Sequence, residues 1–597
     1  MKIRLPMVLM VIVCMYASVG PVRADLSAGS QVLVDFDAVW QFHDGDTDLG
    51  VEWRELDYDD GAWREGPALL GYAPEGRGER WPGPALQTEL EPNLVTYYFR
   101  KTFTFEGDAE HVRVRLDQII DDAAVYYLNG EEIGRSALMP EGDVGHGTTA
   151  TDNTNPEIEH DVFDIDASLL REGRNVLAVM VANSSERSSD ICLGVRLSVA
   201  DAVQAPVALY LTWQRDPTTT MTIHWHTDER HDDVIIEYGL AQGGELSRAE
   251  GDRRPMTYSH RHVQMVELTG LEPGSNYRFR IYRPGAGNSS RFYHFRTMPA
   301  TDDRPIRFAA GGDTHHRDAT FGRTNRQAVA YDLDFIVWGG DLAYADGRED
   351  RLYRWHSFFD TLTETLVTDD GRVVPIIVAI GNHEVRGHYY RGDDRGEEAY
   401  EDTDAFREKI APYFYNLFAF PGHPGYGVLD FGQYMSIVLL DTDHSGPIDG
   451  TQTEWLEKTL AEREHVRHVF PVYHVPAYPS HRDYDAWVSR RVRRHWLPLF
   501  EQAGNIRVVF ENHDHTYKRT VPIRNDEPNP DGIVYLGDGA WGVGVREVHD
   551  VDQTWYLERA ASVRHLILAT VQGQFQDFKV ITEDGKLIDH YIAHPRE

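Results

Sequence analysis

Alternating apolar and polar residues dominate the first third of the chain. Residues 97–105 and 112–116 place apolar and polar side chains in turn, which is the period of a strand with one buried face. The turn-forming pair Asn129-Gly130 interrupts this pattern. We therefore predict that residues 25–202 form an all-β domain.

A second β pattern follows in residues 203–299. Residues 221–226 alternate strictly, and Tyr277 follows a turn at the start of another strand. A tyrosine in that place is typical of the tyrosine corner of a fibronectin type III sandwich. We expect a fibronectin type III-like spacer domain, in which His224 and His226 lie on one face of a strand and bind no metal.

The period changes after residue 300. Short apolar runs that predict buried strands now alternate with stretches of helical spacing, which indicates an α/β domain over residues 300–597. The predicted strands are 306–310, 335–338, 376–380, 436–440, 469–473, 508–510 and 533–538, with further strands in 563–592. The predicted helices are 320–331, 351–366, 452–464 and 487–502. Ligands of such sheets bind beyond the carboxyl ends of the strands.

Composition narrows the range of partners. The 597 residues are 41% hydrophobic and 26% charged, as in a folded protein of several domains. With 59 Lys+Arg against 96 Asp+Glu, the formal net charge is -37. Such a chain repels nucleic acid and anionic lipid unless a basic patch offsets the charge, and no basic run is present. We expect no nucleic-acid partner.

The N-terminus has the pattern of a secretory signal. A basic start at residues 1–4 precedes a short apolar run, and small residues lead up to Ala24. We expect a signal peptide over residues 1–24, cleavage after Ala24 and no membrane insertion afterwards. A retained anchor is the alternative, but the apolar run is short for a spanning helix. Cys192 would then be the single cysteine of a secreted or periplasmic protein, and the cell surface is a further location.

Five short stretches rich in metal-ligand residue types each follow a predicted strand. Their candidate ligands are Asp313, His315, Asp341, Tyr344, Asn382, His474, His513 and His515. These residues offer oxygen and imidazole nitrogen, and no cysteine is available for a thiolate site. The last two histidines are two residues apart, so an extended segment points both to the same face. The pattern predicts a hydrolytic site with two metal ions.

The order of these motifs resembles that of the calcineurin-like metallophosphoesterases. The motifs are Gly-Asp at 312–313, Gly-Asp-x-x-Tyr at 340–344, Gly-Asn-His-Glu at 381–384, a strand-ending His474 and His-x-His at 513–515. The tyrosine of the second motif and the preceding fibronectin-like domain resemble the purple acid phosphatase branch. The resemblance covers about residues 205–595. It implies an α/β metallophosphoesterase domain with a central β-sandwich core.

The resemblance also implies a role for each candidate ligand. Asp341 would bridge the two metal ions. The first ion would be bound by Asp313, Tyr344 and His515. The second ion would be bound by Asn382, His474 and His513. The expected cofactors are Fe(III) together with Fe(II), Zn or Mn.

Phosphomonoester hydrolysis is the activity that this resemblance implies. A metal-bound hydroxide would attack phosphorus in line, because a metal ion lowers the pKa of bound water from about 15.7 toward 7. His383 would contact the phosphate and help the leaving group to depart, and His481 is a further candidate for substrate contact. The expected substrate is a small phosphate ester. A phosphodiesterase or nucleotide hydrolase on the same site is the alternative.

Two positions depart from the purple acid phosphatase pattern. His315 occupies a position that is a ligand in the wider family, whereas a tyrosine takes this role in the purple branch, and both are present here. A phenolate from Tyr344 would favour Fe(III), and His315 would favour Mn, Zn or Fe(II). Asn512 replaces the usual glycine before His-x-His. Because asparagine tolerates positive φ, we expect the turn to form.

The N-terminal domain suggests a function of another class. Residues 125–130 and 173–178 resemble the galactose-binding-like jelly rolls of secreted enzymes. Glycans are therefore a candidate partner, and a cell-surface glycan-binding protein with a silent phosphatase domain is the second hypothesis. The other interpretation of its aromatic residues, Trp53 and Trp63 among them, is burial in the core of a structural sandwich.

Overall fold

A computed structural model describes most of the chain. It covers residues 31–73, 85–109, 112–136, 138–140, 142–151, 159–201, 206–228, 234–259, 261–284, 288–315, 318–368, 370–391 and 400–594. The predicted signal peptide lies outside these residues. The chain divides into two compact units, of which the larger consists mainly of Asp201–Glu597. Within the described ranges, no helix is long and apolar enough to cross a membrane.

The N-terminal region forms two six-stranded sheets. Its strands are β1 (Gln31–Val34), β2 (Val39–His43), β3 (Arg64–Pro67), β4 (Leu70–Tyr72), β5 (Thr88–Glu89), β6 (Thr96–Phe105), β7 (Val112–Asp121), β8 (Ala123–Leu128), β9 (Glu131–Arg135), β10 (Glu159–Ile165), β11 (Gly173–Ala182) and β12 (Ile191–Asp201). One sheet has the order β10-β7-β12-β4-β5 with β1 on β12, and the other has the order β3-β2-β6-β11-β8-β9. The predicted all-β character is confirmed, and the jelly-roll type stays a prediction.

The aromatic residues of this region are used largely for packing. Trp53 is only 3% exposed and meets the rings of Tyr98 and Tyr127 edge-on, at centroid distances of 4.8 Å and 5.8 Å. Trp63 is half-buried beside His43. Edge-to-face contacts of buried rings stabilise a core. This favours the structural interpretation of Trp53, and glycan binding stays a prediction.

Two antiparallel sheets follow in the larger unit. Their strands are β13 (Val207–Thr212), β14 (Met221–Asp228), β15 (Ile235–Leu240), β16 (Ser247–Ala249), β17 (Asp252–Pro255), β18 (Arg261–Leu268), β19 (Asn276–Arg283), β20 (Asn288–Ser289) and β21 (Tyr293–Arg296). The orders are β13-β14-β18-β17 and β16-β15-β19-β20, with β21 on β19. Trp225 from one sheet and Phe279 from the other belong to one hydrophobic cluster. The two sheets therefore share a core.

Tyr277 makes the contact that was expected of a tyrosine corner. Its hydroxyl oxygen accepts a hydrogen bond from the backbone N–H of Glu272 at 2.9 Å. His224 and His226 both lie on β14, two positions apart, as predicted. Both are buried, and the ring of His224 stacks on Tyr210 at 4.5 Å. The assignment of this domain to the fibronectin type III fold stays a prediction.

Two mixed sheets form the centre of the α/β domain. Their strands are β22 (Ile306–Gly311), β23 (Phe335–Trp338), β24 (Ile376–Val378), β25 (Gly427–Phe431), β26 (Met435–Leu439), β27 (His468–Val472), β28 (Val508–Glu511), β29 (Tyr517–Thr520), β30 (Ile523–Arg524), β31 (Glu527–Pro528), β32 (Val534–Gly537), β33 (Leu557–Ala561), β34 (His565–Gln572), β35 (Phe575–Thr582) and β36 (Leu587–Ala593). One sheet has the order β24-β23-β22-β34-β35-β36, and the other β25-β26-β27-β28-β32-β29-β33; β30 and β31 pair separately. Strands β22–β24 are parallel, as are β26, β27, β28 and β32.

The helices are α1 (Asp318–Val329), α2 (Leu352–Thr365), α3 (Asp404–Ile410), α4 (Phe414–Leu417), α5 (Thr451–Ala461), α6 (Trp487–His495) and α7 (Leu497–Ala503). The prediction of one helix over 487–502 is wrong, because the helix is interrupted at Trp496, between α6 and α7. Pro498 lies in the first turn of α7, where it needs no amide hydrogen, but it could not continue the hydrogen bonds of α6. The short helices α3 and α4 were not predicted.

The two sheets of the α/β domain pack face to face, and helices cover their outer faces. Phe308 of the first sheet meets Phe470 and Phe510 of the second at centroid distances of 5.6 Å and 6.0 Å. Helix α2 covers the outer face of the first sheet, and helices α5, α6 and α7 pack in a hydrophobic cluster with β26, β27 and β28. Strands buried on both faces are apolar throughout, which explains why their runs were visible in the sequence.

The tyrosine corner gives a testable prediction for stability. Tyr277→Phe removes the hydroxyl that pairs with the Glu272 N–H and should lower the free energy of unfolding by about 1 kcal/mol. Urea denaturation of the full chain, followed by far-UV circular dichroism, measures this loss. Tyr282→Phe, on the same strand, is the matched control. Equal stability of the two variants would contradict the assignment.

Candidate metal centre

The five predicted motifs lie at the carboxyl ends of five strands. Asp313 follows β22, Asp341 follows β23, Asn382 follows β24, His474 follows β27 and His513 follows β28. Because β22–β24 and β26–β28 are parallel within their sheets, these ends share one edge of each sheet. This is the placement that the sequence predicted.

Several of these side chains are directed by unusual backbone conformations. Positive φ angles occur at Asp313 (55°), Asp341 (54°), Tyr344 (57°), His513 (81°) and His515 (58°). The left-handed region is uncommon for residues other than glycine and occurs often at functional sites. The turns after β22, β23 and β28, where these positive φ angles occur, direct the side chains toward a common place.

The first cluster contains one carboxylate, one phenol and one imidazole. The Tyr344 hydroxyl lies 3.1 Å from Asp313 Oδ1 and 3.1 Å from His515 Nε2, and these last two atoms are also 3.1 Å apart. His515 Nδ1 donates to the Gly544 carbonyl at 3.1 Å. Nε2 of a neutral His515 therefore presents its lone pair to the cluster.

The second cluster contains two imidazoles, a carboxylate and an amide oxygen. His474 Nε2 lies 3.0 Å from Asp341 Oδ2, 3.0 Å from Asn382 Oδ1 and 2.9 Å from His513 Nδ1. His474 Nδ1 donates to the Gly339 carbonyl at 3.0 Å, so Nε2 of a neutral His474 carries a lone pair. All four residues are buried.

Both clusters fit a metal ion. Ligand atoms at about 2.0–2.2 Å from an ion, at right angles to one another, lie about 3 Å apart. The atoms of both clusters have this spacing, and in each cluster atoms that accept hydrogen bonds face one another. A histidine whose second ring N–H is held by a backbone carbonyl is the usual arrangement of a metal ligand.

The electrostatics of the centre favour cations. Burial lowers the pKa of His474, but the charges of Asp341 and Asp313 outweigh it and raise that pKa to about 9. Burial, then Asp313 and Asp341, raise the pKa of the Tyr344 hydroxyl well above its ordinary value. Asp341 lies in the second cluster, and its charge also acts on Tyr344 of the first cluster. A pocket that binds a proton this strongly also attracts a metal ion.

Glu384 joins two of the ligand loops, a role that the sequence analysis did not assign. Its buried carboxylate accepts hydrogen bonds of 2.8 Å from the backbone N–H groups of Gly381, Asp341 and Leu342. Burial, then the charge of Asp341, raise the pKa of Glu384 to about 7. Glu384 therefore sets the position of the Asp341 loop relative to Asn382. Glu384 is the last residue of the Gly-Asn-His-Glu motif at 381–384, and its place in that motif could have indicated a role at the site.

His383 lies beside the two clusters and has a carboxylate partner. Its Nδ1 is 2.5 Å from Asp346 Oδ1, its Nε2 is 4.0 Å from Asp341 Oδ2, and its ring is 4.2 Å from that of Tyr344. Burial lowers the pKa of His383, but Asp341 and Asp346 raise it overall. The side chain is a quarter exposed, so it can be reached from solvent.

His315 is engaged with helix packing. Its Nε2 shares a hydrogen bond of 3.2 Å with Ser357 of α2, and its ring meets Phe321 and Phe358 edge-on at 5.5 Å and 6.2 Å. Its neighbour two positions earlier, Asp313, points into the first cluster instead. Of the two competing candidates for the first ion, Tyr344 is the one that meets the other ligands.

His481 lies next to Asp514, the residue between the candidate ligands His513 and His515. Its Nδ1 donates to the Glu547 carbonyl at 2.8 Å, and its backbone N–H donates to Asp514 at 2.7 Å. The next residue, Arg482, reaches the carbonyl of His513 at 2.6 Å, and Arg546 reaches the same carbonyl at 3.4 Å. Sequence reasoning missed both arginines, because neither lies in a motif.

The Asn512 turn forms, but for a reason different from the expected one. Asn512 itself is not among the residues with positive φ; His513 and His515 are. Its side-chain amide instead donates to the Tyr473 carbonyl at 2.9 Å and fills the space beside Gly339, where a Cβ would lie 1.8 Å from its Nδ2. The asparagine thus packs under the first two ligand loops.

Comparisons with known proteins agree with this geometry. Residues 206–297 match the model of the purple acid phosphatase N-terminal domain, and residues 306–517 match the calcineurin-like phosphoesterase model. Purple acid phosphatase 18 of Arabidopsis thaliana is 26% identical over 359 residues, 58% of this chain and 74% of that protein. Purple acid phosphatase 21 of the same plant is 27% identical over 326 residues, 53% and 68% of the two chains.

A solved structure shows the same fold. PhoD superposes with a TM-score of 0.50 at 13% identity, over 66% of this chain and 89% of PhoD. The family implies a dinuclear metal centre, and the two clusters provide candidate ligands for one. The chain is a purple acid phosphatase-like member of the calcineurin-like metallophosphoesterase family, and hence a metal-dependent phosphoric ester hydrolase.

Proposed function

We propose that this protein is an exported phosphomonoesterase that acts on small phosphate esters at a dinuclear metal centre. The observation that carries the proposal is the pair of adjoining clusters, in which ligand atoms lie about 3 Å apart at one edge of the sheets. Export rests on the pattern of residues 1–24 alone.

Each side chain has a proposed role. Asp313, Tyr344 and His515 would hold the first ion. Asn382, His474 and His513 would hold the second. Asp341, which acts electrostatically on both clusters, would bridge them. Two bound cations would activate water and stabilise charge on the phosphoryl group.

His383 would supply the proton for the leaving group. Asp346 holds its Nδ1, which orients the ring and stabilises its protonated form. The ring stands beside Tyr344 and is open to solvent, so a phosphate ester bound at the clusters would come within its reach. His481, whose Nδ1 is held by the Glu547 carbonyl, is retained as a candidate for substrate contact at the rim.

The first ion is proposed to be Fe(III), and the second Fe(II), Zn or Mn. Tyr344 supports this choice, because a phenolate oxygen is a hard anionic ligand that suits a trivalent ion. The hydrogen bond between His315 Nε2 and Ser357 Oγ supports the same choice, because it engages that nitrogen with helix α2 instead of the first cluster.

Removal of the proposed bridging carboxylate should abolish activity. Asp341→Asn removes a negative charge that both ions need, so we expect at least about a 10²-fold loss of turnover of p-nitrophenyl phosphate. Metal content, measured by elemental analysis, should fall while the circular dichroism spectrum is retained. Asp531→Asn, in an exposed loop, is the control. Full activity and metal content in Asp341→Asn would refute the assignment.

The identity of the first ligand set can be read from colour. An Fe(III)–phenolate centre absorbs visible light, so Tyr344→Phe should lose the band and His315→Gln should keep it. A visible spectrum with iron analysis of the purified proteins checks both. An active, colourless wild-type protein that contains Mn or Zn would show that Tyr344 is not the phenolate ligand of an Fe(III) ion.

The role of His383 predicts a dependence on the leaving group. An alkyl alkoxide needs a proton more than p-nitrophenolate does, so His383→Gln should slow glycerol 2-phosphate hydrolysis by about 10²-fold and p-nitrophenyl phosphate hydrolysis much less. Values of kcat for the two esters give the comparison. Equal losses would indicate that His383 contacts only the phosphate.

A further inference from the structure

Two arginine side chains meet beside the candidate metal centre. Arg482 Nη1 donates to the His513 carbonyl at 2.6 Å, and Arg546 Nη1 donates to the same oxygen at 3.4 Å. The backbone N–H of Arg546 donates to the His515 carbonyl at 3.1 Å. Both arginines are therefore attached to the loop that carries two of the proposed ligands.

Only one of the two arginines has a carboxylate partner among the residues that the structure describes. Asp514 pairs with Arg482 at 2.7 Å and also accepts the backbone N–H groups of His481 and Arg482. In the part of the chain that the structure describes, Arg546 has no carboxylate within 4.0 Å. Burial, and then the charge of Arg482, lower the pKa of the Arg546 guanidinium, while Asp313 and Tyr344 act in the opposite direction. Arg482 is thus paired with a carboxylate, whereas Arg546 has none at ion-pair distance among the described residues.

The position of the pair is at the rim of the centre. Both guanidinium groups bind the backbone carbonyl of His513, whereas the His513 imidazole turns to His474 at 2.9 Å. Arg482 is 31% exposed and Arg546 is half-buried. A scissile phosphate between the clusters would already be neutralised by the metal ions, so these arginines suit an anion that lies outside the ligand cage.

We propose that Arg482 and Arg546 form an anion subsite that binds a second anionic group of the substrate, such as the distal phosphate of a bisphosphate ester. The inference rests on the proposed function, because it assumes that the scissile phosphate lies at the clusters. Guanidinium groups present a fork of N–H donors that matches phosphate oxygens. In a chain of net charge -37, such a subsite also offsets the repulsion of a multiply charged substrate.

The test compares two substrates that differ by one phosphate. Arg546→Gln removes the guanidinium to which the described residues bring no carboxylate within 4.0 Å. Values of kcat and KM are measured with fructose 1-phosphate and with fructose 1,6-bisphosphate. We expect the wild-type protein to prefer the bisphosphate. In the variant, KM for the bisphosphate should rise by about 10- to 100-fold, with a much smaller rise for the monophosphate. Arg546→Lys should recover part of the preference.

A matched control and a binding measurement complete the design. Arg494→Gln removes an exposed charge from α6 and should leave both KM values as in the wild type. Equal losses on both esters in Arg546→Gln, or a wild-type protein with no preference for the bisphosphate, would overturn the proposal. If neither ester is hydrolysed, calorimetry with the metal-loaded protein decides. Tighter binding of the bisphosphate, weakened in Arg546→Gln, would support the subsite and reject only the phosphomonoesterase function.

Discussion

The crowding of electron-pair donors is the constraint on which the rest of the structure depends. His474 and His515 each give their Nδ1 hydrogen to a backbone carbonyl, so their other nitrogens face carboxylate, amide and phenol oxygens at about 3 Å. Buried acceptors that face acceptors are destabilising unless a cation or a proton lies between them. The pKa of His474 is raised to about 9 for the same reason, because a proton on its ring reduces the repulsion among these groups.

The sheets make this crowding possible because they are stiff. The aromatic core between them, in which Phe308 stacks on Phe335 at 4.9 Å and meets Phe470, fixes the strand ends from which the ligand loops start. The loops then approach so closely that glycine is required: a Cβ on Gly539, whose φ is 67°, would lie 1.8 Å from Asp313 Oδ2. The close-packed core therefore stabilises the strained backbone conformations at the residues with positive φ.

The sequence contained the strand ends but not the contacts that cross between loops. Buried strands are apolar on both faces and are followed at once by the ligands, so β22, β23 and the place of Asp313 and Asp341 could be predicted from local pattern. The hydrogen bonds of Glu384 to the backbone amides of Asp341 and Leu342, and the approach of Arg546 to His513, join residues 33 to 43 positions apart. No local period encodes such pairs. The interruption between α6 and α7 was not predicted, although Pro498 is a residue that commonly begins a new helix.

The choice between His315 and Tyr344 shows why the motif alone could not define the first ligand set. Both residues lie within three positions of a candidate aspartate, and both could supply a ligand atom. The packing of α1 and α2 separates them: Phe321 and Phe358 enclose the His315 ring, and Ser357 takes its Nε2. The space left beside Asp313 is filled by Tyr344. The packing of α1 and α2 around His315 determines which of the two side chains reaches the site. That packing would then decide which metal ion the first ligand set prefers.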